Sequence, residues 1–504
     1  MQADRIWISI AVMAATIMQV LDMTITNVAL PYMAGSLGAT TDNISWVLTS
    51  YLVASSIVMP LTGYLTDRLG RRRYLLISIG GFVVTSGLFG IATGLYEMVL
   101  FRILQGVFGA SLVPLSQAIM VENFPAAERG RAIAIWGMGV MVAPILGPTL
   151  GGYLTEAINW RWIFYINLPV GAISLLLAAR YVPGTAIKQR RMDWLGLASL
   201  GVAVGALQLV LDRGQQDDWF SSPWIRMETG VAVAGFVLFL LHSLRAKEHP
   251  LFDLSMFKDR NFALACLMMA AMGIGMFGGQ LLQPLFLENL LAYPTMTAGL
   301  ILMPRGLGTF FAMSLSGRLL GRGISPKWLV LPGVILSMFG SYMMTDYNAK
   351  VAWIDMILPM LLQGAGMGFI FVPLSTLAFS TLPKEAATEA AGIYSLVRSL
   401  GAAIGISMVS TYLARTTQAQ WSLLRGTVNP FNPAVHSYLQ ALPSQPQGLG
   451  MQILAREIGT QAQLTAFVSS FWFVAASFFL MLPLVLLLES PRPKPSREQV
   501  PGLG

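Results

Sequence analysis

Hydrophobic positions in this chain fall in long, nearly uninterrupted runs rather than in the short alternations of a soluble element. A spanning helix needs about 20 mostly apolar residues. Fourteen such runs are read near 7–33, 45–65, 74–94, 96–120, 131–155, 160–180, 193–211, 226–245, 262–290, 297–317, 327–345, 353–376, 388–414 and 464–488. Short turns join most of them. Residues 415–463, rich in Gln, Pro and Asn, are too polar to cross and are expected to form a long loop. The first run is too long for a cleaved signal and lacks a small-residue cleavage site, so it is read as a span.

The basic residues orient these spans. With the amino terminus inside, 22 of the 32 Lys and Arg fall in inner loops and ends, 7 in outer segments and 3 within spans (Arg102, Arg305 and Arg398). Inner loops carry the positive excess in membrane proteins. This split predicts an even span number with both termini cytoplasmic.

The spans group as six, two and six. Residues 1–187 form a first six-helix bundle, 188–248 an inserted pair of helices, 249–490 a second six-helix bundle carrying the 415–463 loop, and 491–504 a tail. An internal repeat supports the halves. The turn after span two reads Gly63-Tyr-Leu-Thr-Asp67-Arg68-Leu-Gly70-Arg71-Arg72-Arg73. Its counterpart in the second half, Gly317-Arg318-Leu-Leu-Gly321-Arg322-Gly323, lacks the acid.

Composition agrees with a lipid solvent. Of 504 residues 55% are hydrophobic and 11% charged, against about 25% charged in a soluble domain. The formal charge of +8 sits in short turns, which is a topology signal rather than a nucleic-acid surface. One cysteine, Cys266, excludes an internal disulfide and a cysteine-based metal site.

Ionisable groups at bilayer depth cost about 2.5–3.5 kcal/mol each and are functional candidates. Asp22 lies well inside span one, and Gln19, Asp22 and Thr26 share one helix face, with Asn27 beside them. A low dielectric favours the neutral acid and a nearby cation favours the carboxylate, so an acid held between the two can load and release a proton. Arg102, in Arg102-Ile-Leu-Gln105-Gly106, is the natural partner, with Gln105 on its face; the alternative is an arginine that snorkels to the interface. Arg398 and Arg305 are second-half candidates, open between structural pairing and function. Glu288 near the outer end of span nine is read as facing water. Span five carries Pro144, Gly147, Pro148, Gly151 and Gly152, where prolines bend and glycines permit close seating. At the Asp67 turn, Arg68 and Arg71–Arg73 either latch the halves or only set topology.

Three motifs in order carry a family resemblance: Leu21-Asp22-x-Thr24-x-x-Asn27-Val-Ala-Leu-Pro31, Gly63-x-Leu65-x-Asp67-Arg68-x-Gly70-Arg71-Arg72, and Gly147-Pro148-x-x-Gly151-Gly152. Arg102-x-x-Gln105-Gly106 and Trp160-Arg161-Trp162-Ile-Phe164-Tyr-Ile-Asn167-Leu-Pro169 support them. The chain resembles the fourteen-span drug:proton antiporters of the major facilitator superfamily. The resemblance implies the major facilitator fold, an all-α polytopic membrane protein of two six-helix bundles plus two inserted helices. It implies Asp22 and Arg102 as the proton-coupling pair, with Gln19, Thr26, Asn27, Gln105 and Arg398 as candidate cavity residues. The Asp67 turn would gate the cytoplasmic side, and the span-five motif would seal the interface between halves.

Thr427-Val-Asn-Pro-Phe-Asn-Pro433, Leu211-Asp-Arg-Gly214 and Asp218-Trp-Phe220 are similar to the multidrug pumps of tripartite efflux systems. That likeness implies a bacterial inner membrane, a periplasmic adaptor and an outer-membrane channel as partners, lipophilic drugs and protons as ligands, and no nucleic acid. No phosphate-cradling Gly-x-x-x-x-Gly-Lys-Ser/Thr loop is present, so the proton gradient rather than ATP or a cofactor is the expected energy source. The runner-up is a proton-coupled solute symporter on the same fold. A membrane-embedded enzyme lacks a His-bearing or metal-like cluster, and a channel would call for a ring of charges.

Overall fold

The apolar runs are helices in a computed structural model of the chain, which describes residues 2–125, 128–187, 191–245, 251–383, 386–429, 432–441 and 449–489. Lys188, Arg190, His249 and the 491–504 tail lie outside the described residues.

The first bundle runs through α1 (Gln2–Leu37), the short α2 (Thr41–Ile44), α3 (Trp46–Val58), α4 (Thr62–Leu69), α5 (Arg71–Phe89), α6 (Leu95–Gly109), α7 (Leu112–Asn123), α8 (Arg129–Ala157), α9 (Trp162–Tyr165) and α10 (Asn167–Tyr181). The inserted pair is α11 (Trp194–Arg213) and α12 (Pro223–Arg245). The second bundle holds α13 (Arg260–Leu285), α14 (Thr295–Gly321), α15 (Pro326–Met343), α16 (Trp353–Ala378), α17 (Ala387–Gly426), α18 (Pro433–Ala441), α19 (Leu449–Phe479) and α20 (Leu482–Leu487).

Several expected spans are broken once. Pro60 sits in the 3-10 turn Met59–Leu61 between α3 and α4, and Pro114 lies one turn after the α6–α7 break. Proline lacks the amide that would continue the ladder. Among the described residues, thirteen helical stretches are long and apolar enough to cross a membrane. The expected span 74–94 corresponds to α5, a 19-residue helix that opens on three arginines, which lowers its mean hydropathy.

Residues 415–463 are not a loop where they are described. α17 runs unbroken for 40 residues, α18 follows, and α19 begins at Leu449. At 1.5 Å per residue α17 is about 60 Å long, twice a roughly 30 Å hydrocarbon layer. The polar composition that forbids crossing does not forbid a helix that stands in water.

Both described ends and the arginine-bearing turns lie at one end of the bundle, here the basic face. Arg5 pairs with Glu128 at 3.7 Å and Arg260 with Glu489 at 2.8 Å there. Toward this face α7 is buried at every residue from Leu112 to Val121. α17 is buried from Ala387 to Leu396 at all but Glu389, and α16 from Ile370 to Leu374 at every residue. Farther along, α17 keeps only Gly401, Gly405, Ser407 and Val409 buried. The halves are therefore sealed at the basic face and part toward the other.

The inserted helices pack on the first bundle. Gly201 and Gly205 of α11 meet Ile57 of α3, Thr49 donates to Asp212, and the Arg213 guanidinium lies 5.2 Å from the Trp46 ring centroid. Trp219 reaches the second bundle through a 3.0 Å bond to Thr411.

Candidate functional site

Asp22 and Arg102 meet inside the first bundle. Arg102 Nη1 lies 2.5 Å from Asp22 Oδ2, and both side chains are buried to within 1% exposure. The pair and its surroundings are built from six helices. α1 supplies Asp22 and Thr26 on one face, as their spacing requires. α6 supplies Arg102 and Gln105 one turn apart. Arg102 Nη1 also donates to Gln105 Oε1 at 2.6 Å, and Nη2 donates to Thr26 Oγ1. Thr26 in turn donates to the Asp22 carbonyl at 2.6 Å.

The carboxylate has two further donors. Gln105 Nε2 reaches Asp22 Oδ1 at 3.2 Å, and Asn167 Nδ2 of α10 reaches the same oxygen at 2.7 Å. Asn167 is itself set by Ser86 Oγ of α5 at 3.0 Å, and Ser86 donates to the Phe164 carbonyl at 2.9 Å. Three aromatic rings enclose the guanidinium: Tyr51 of α3, Phe89 of α5 and Phe164 of α9, with centroids at 5.6, 5.0 and 5.1 Å. Rings of this kind hold a cation by their quadrupoles while excluding water. Gly106 makes the approach of α3 and α6 feasible, because a Cβ there would lie 2.7 Å from the Tyr51 carbonyl.

Arg102 therefore does not snorkel to the interface. Gln19 is buried on the same helix face. Asn27 is exposed and takes no part in this network. Asn167, Ser86, Tyr51, Phe89 and Phe164 complete the site. Of these, only Asn167 and Phe164 fell in a motif with a recognisable pattern.

The span-five glycines act within the first bundle. Cβ atoms at Gly147 and Gly151 would press on Thr24 and Ile25 of α1, while one at Gly152 would meet nothing within 4 Å. The Pro148 side chain lies outside the described residues. Contacts between the halves are spread along α8, and Thr149 inside the motif lies against Gly299 of α14, where a Cβ would meet its Oγ1 at 3.6 Å. Ala134 abuts Gly317, a Cβ at Gly130 would meet Leu320 and one at Gly137 would meet Met313, and the Trp136 ring stacks on Phe371 at 6.2 Å. Seating against α1 follows from the face of the helix on which those glycines fall.

At the basic face the Asp67 turn packs against the second bundle. Gly63 lies against Glu389 of α17, where a Cβ would be 3.0 Å from the Glu389 Cβ. Gly70 joins α4 to α5 with φ +78°, a conformation that suits glycine alone. Arg71 is buried and paired with Glu122 of α7, and its amide donates to Thr185 Oγ1 at 2.9 Å. Arg68 bonds the Tyr64 hydroxyl at 2.7 Å, and Arg72 donates to the Ala179 carbonyl. Across the halves, Thr388 donates to Glu122 Oε1 at 3.4 Å and Arg129 to the Phe379 carbonyl at 3.5 Å. Glu389 also accepts from the Asp253 amide at 2.8 Å. The arginines of the turn thus brace the first half, and the contacts between halves come from Glu122, Thr388, Glu389 and Arg129, which motif reading did not single out. The degraded second copy repeats the geometry, since Gly317 presses on α8 as Gly63 presses on α17.

In the second bundle Arg305 is buried and donates to Gln283 Oε1 at 3.1 Å and to the Met276 carbonyl at 3.2 Å. Glu288 lies half-buried in the π-helical turn Phe286–Leu290. Arg398 is half-buried.

A sequence profile described as Major Facilitator Superfamily matches residues 12–406. Multidrug export protein EmrB of Escherichia coli K12 is 36% identical over 97% of this chain and 96% of its own length. Fatty acid resistance protein FarB of Neisseria gonorrhoeae is 35% identical over 96% of each chain. Among solved structures, the human organic anion transporter MFSD10 superimposes with a TM-score of 0.60 at 14% identity, covering 94% of this chain and 99% of that one. The proton:xylose symporter XylE gives 0.58 at 14% identity, covering 96% of each. At such identities the two structures establish a shared fold and no shared chemistry.

Proposed function

The chain belongs to the major facilitator superfamily, a family of transporters, and on that premise we propose that it exports lipophilic and amphiphilic drugs in exchange for protons. Similarity to EmrB over nearly the whole length supports multidrug export as the direction and class of transport. The observation that carries the coupling is the buried Asp22–Arg102 pair. A carboxylate enclosed with its counter-ion, two further donors and three rings is a group whose protonation must rearrange its neighbours.

In this reading the basic face is cytoplasmic, by the excess of Lys and Arg there. The arrangement sealed at that face is the outward-facing state. A proton arriving from outside neutralises Asp22, loosens Arg102 and lowers the affinity of the cavity for drug, which leaves outward. The proton is released inward after the latch at Glu122, Thr388 and Glu389 opens. A potential of about 150 mV supplies roughly 3.5 kcal/mol per proton, enough to hold a neutral drug at more than about a hundredfold gradient in one-for-one exchange. The bacterial inner membrane is the proposed location, and the hairpin of α17 and α19 the side from which a periplasmic adaptor and an outer-membrane channel continue the path.

Transport in proteoliposomes under an imposed pH gradient tests this. Wild-type protein should drive drug against its gradient, and Asp22→Asn should reduce the driven flux to that of protein-free vesicles. Undiminished driven flux in Asp22→Asn refutes the coupling role. Drug moving with the proton rather than against it would identify a symporter.

A further inference from the structure

Between the Asp22–Arg102 pair and the basic face, the first bundle carries a file of polar side chains that the pair itself does not use. Gln19 of α1, Tyr51 of α3, Ser78 and Tyr74 of α5, Ser111 at the α6–α7 break and Thr62 at the start of α4 compose it. None is more than 5% exposed. The helices set their heights. On α5 Ser86 stands at the level of the pair through Asn167, and Ser78 and Tyr74 lie on the way from it to the arginines that open the helix. At 1.5 Å per residue they are about 12 and 18 Å nearer the basic face than Ser86. Ser111 lies about 13 Å beyond Arg102 by the same measure, level with Ser78.

The members touch in order. At the upper end the Tyr51 hydroxyl lies beside Gln19 and within the field of Asp22 and Arg102. Neither Tyr51 Oη nor Gln19 Oε1 has a hydrogen-bond partner among the described residues. Gly109 opens the next step. A Cβ there would lie 2.8 Å from Tyr51 Oη and 3.0 Å from the Phe82 ring, and Ser111 follows two residues on. Ser111 Oγ and Ser78 Oγ are 2.8 Å apart, and either can donate to the other. The Tyr74 hydroxyl is surrounded by those of Ser111, Thr62 and Ser78, yet it bonds none of them directly. Thr62 ends the file under α17, where a Cβ at Gly392 would lie 3.8 Å from its Cβ. Polar residues that only pad a membrane helix bond their own backbone, as Thr16 and Thr85 do. In this file Ser78 and Ser111 bond across helices, and Gln19, Tyr51 and Tyr74 each keep a buried oxygen open.

Buried polar atoms are nearly always satisfied by protein or by ordered water, and a polar site of this kind holds water where an apolar one stays dry. We propose that the file is the route by which the proton leaves Asp22 for the basic face, a relay of hydroxyls and buried water inside the first bundle, separate from the drug's path between the halves. Gln19, whose amide cannot pass a proton on, orients the first water. At every later step an oxygen accepts a proton on a lone pair and gives the one it held to the next oxygen. One proton leaves the Asp22 carboxyl, one arrives at Thr62, and each intermediate group ends as it began. Because α17 covers Thr62, the proton reaches water only when the contacts of α17 with the first bundle open. Proton release and entry of drug at the basic face then follow from one movement. The proposal rests on the proton-exchange reading and supplies its route.

The test uses the full-length protein in proteoliposomes with ethidium as the drug probe and two readouts. One is ethidium-coupled proton movement, followed by a pH dye inside the vesicles. The other is exchange of ethidium for ethidium at equal pH, which moves drug but no net proton. Tyr74→Phe and Ser111→Ala remove one hydroxyl each. Both should slow coupled proton movement by at least about tenfold, the low end of what a lost proton-transfer group costs, and leave exchange near wild type, which also shows that the variants fold. Their coupled rate should fall further in heavy water, as expected once proton transfer limits it. Tyr394→Phe removes a buried hydroxyl of the second bundle, bonded to Ser375 at 3.2 Å and off the file, and should leave both rates near wild type. Equal loss of both readouts in Tyr74→Phe assigns its hydroxyl to structure and overturns the relay, as does unchanged coupled movement in both file variants. In those cases coupling in the wild-type protein leaves the export reading standing. Wild-type protein that exchanges ethidium without moving protons refutes the coupling reading, and the relay with it.

Discussion

Asp22 and Arg102 are legible because charge at bilayer depth is rare, whereas their supporting residues are not. Asn167, Ser86 and Tyr51 are ordinary polar residues until folding brings α10, α5 and α3 around the pair. Nothing in their local sequence distinguishes them from helix-packing serines and tyrosines. Asn27 shows the converse, a residue inside a recognisable motif whose side chain the helix turns away from the site. The energetics of the pair give a prediction that separates enclosure from simple proximity. Removing one partner leaves a buried charge without its counter-ion, a loss of about 3–5 kcal/mol, whereas removing both relieves that cost. Asp22→Asn, leaving Arg102 charged among three rings, should therefore lower the thermal midpoint in detergent. The double variant Asp22→Asn with Arg102→Gln should recover most of the loss. A double variant less stable than either single one would mean that the two residues act independently and that the enclosed pair is not a unit.

The helix-level device is the pair of glycine contacts at the basic face. Gly63 sits on α17 and Gly317 on α8, each motif copy pressing on the opposite half. The repeat of the turn was visible in the residues, but its partners were not, because Glu389 and Ala134 carry no motif of their own. Proteins with sealed helical interfaces rely on small residues to let backbones approach. A Cβ at Gly317 would come within 2.5 Å of the Ala134 Cβ, a separation that side chains do not tolerate. Gly317→Leu should thus pry the halves apart at the basic face while leaving each bundle folded. Spin labels at Arg73→Cys and Arg322→Cys, both exposed on this face, would report it in a Cys266→Ser background. The expected outcome is a longer inter-label distance in Gly317→Leu than in the parent, with drug binding from the basic side favoured. An unchanged distance distribution would show that this contact does not hold the closed state. The span-five glycines illustrate what a motif leaves open: their small size was read correctly as a demand for close seating, but only the fold decides that the neighbour is α1.

Across the whole molecule, run length was enough to read an all-helical, many-span membrane fold, since lipid imposes a strict length on whatever crosses it. Water imposes no such length, and that is why the α17–α19 projection was not anticipated. Its 415–426 stretch has no proline and no glycine before Gly426 to stop a helix that begins in the membrane. Among the described residues none from Ser410 to Gln461 is buried, so the projection adds nothing to the core on which the bundle depends. It nevertheless displays Trp421, Leu423 and Met451 at 40%, 66% and 50% exposure. Two roles then separate cleanly. If the projection serves transport across one membrane, its removal disables the pump everywhere; if it serves to engage an adaptor, only transfer beyond that membrane suffers. Replacing residues 415–461 by a short Gly-Ser linker should leave a monodisperse protein whose stability changes by less than about 1 kcal/mol, as expected where no buried residue is removed. Drug flux in single-membrane vesicles should persist. Drug resistance of whole cells carrying the adaptor and outer-membrane channel should fall to the level of cells without the pump. Loss of vesicle flux in the shortened protein, or full resistance in those cells, would assign the projection to the transport cycle itself and remove the structural basis for placing the adaptor there.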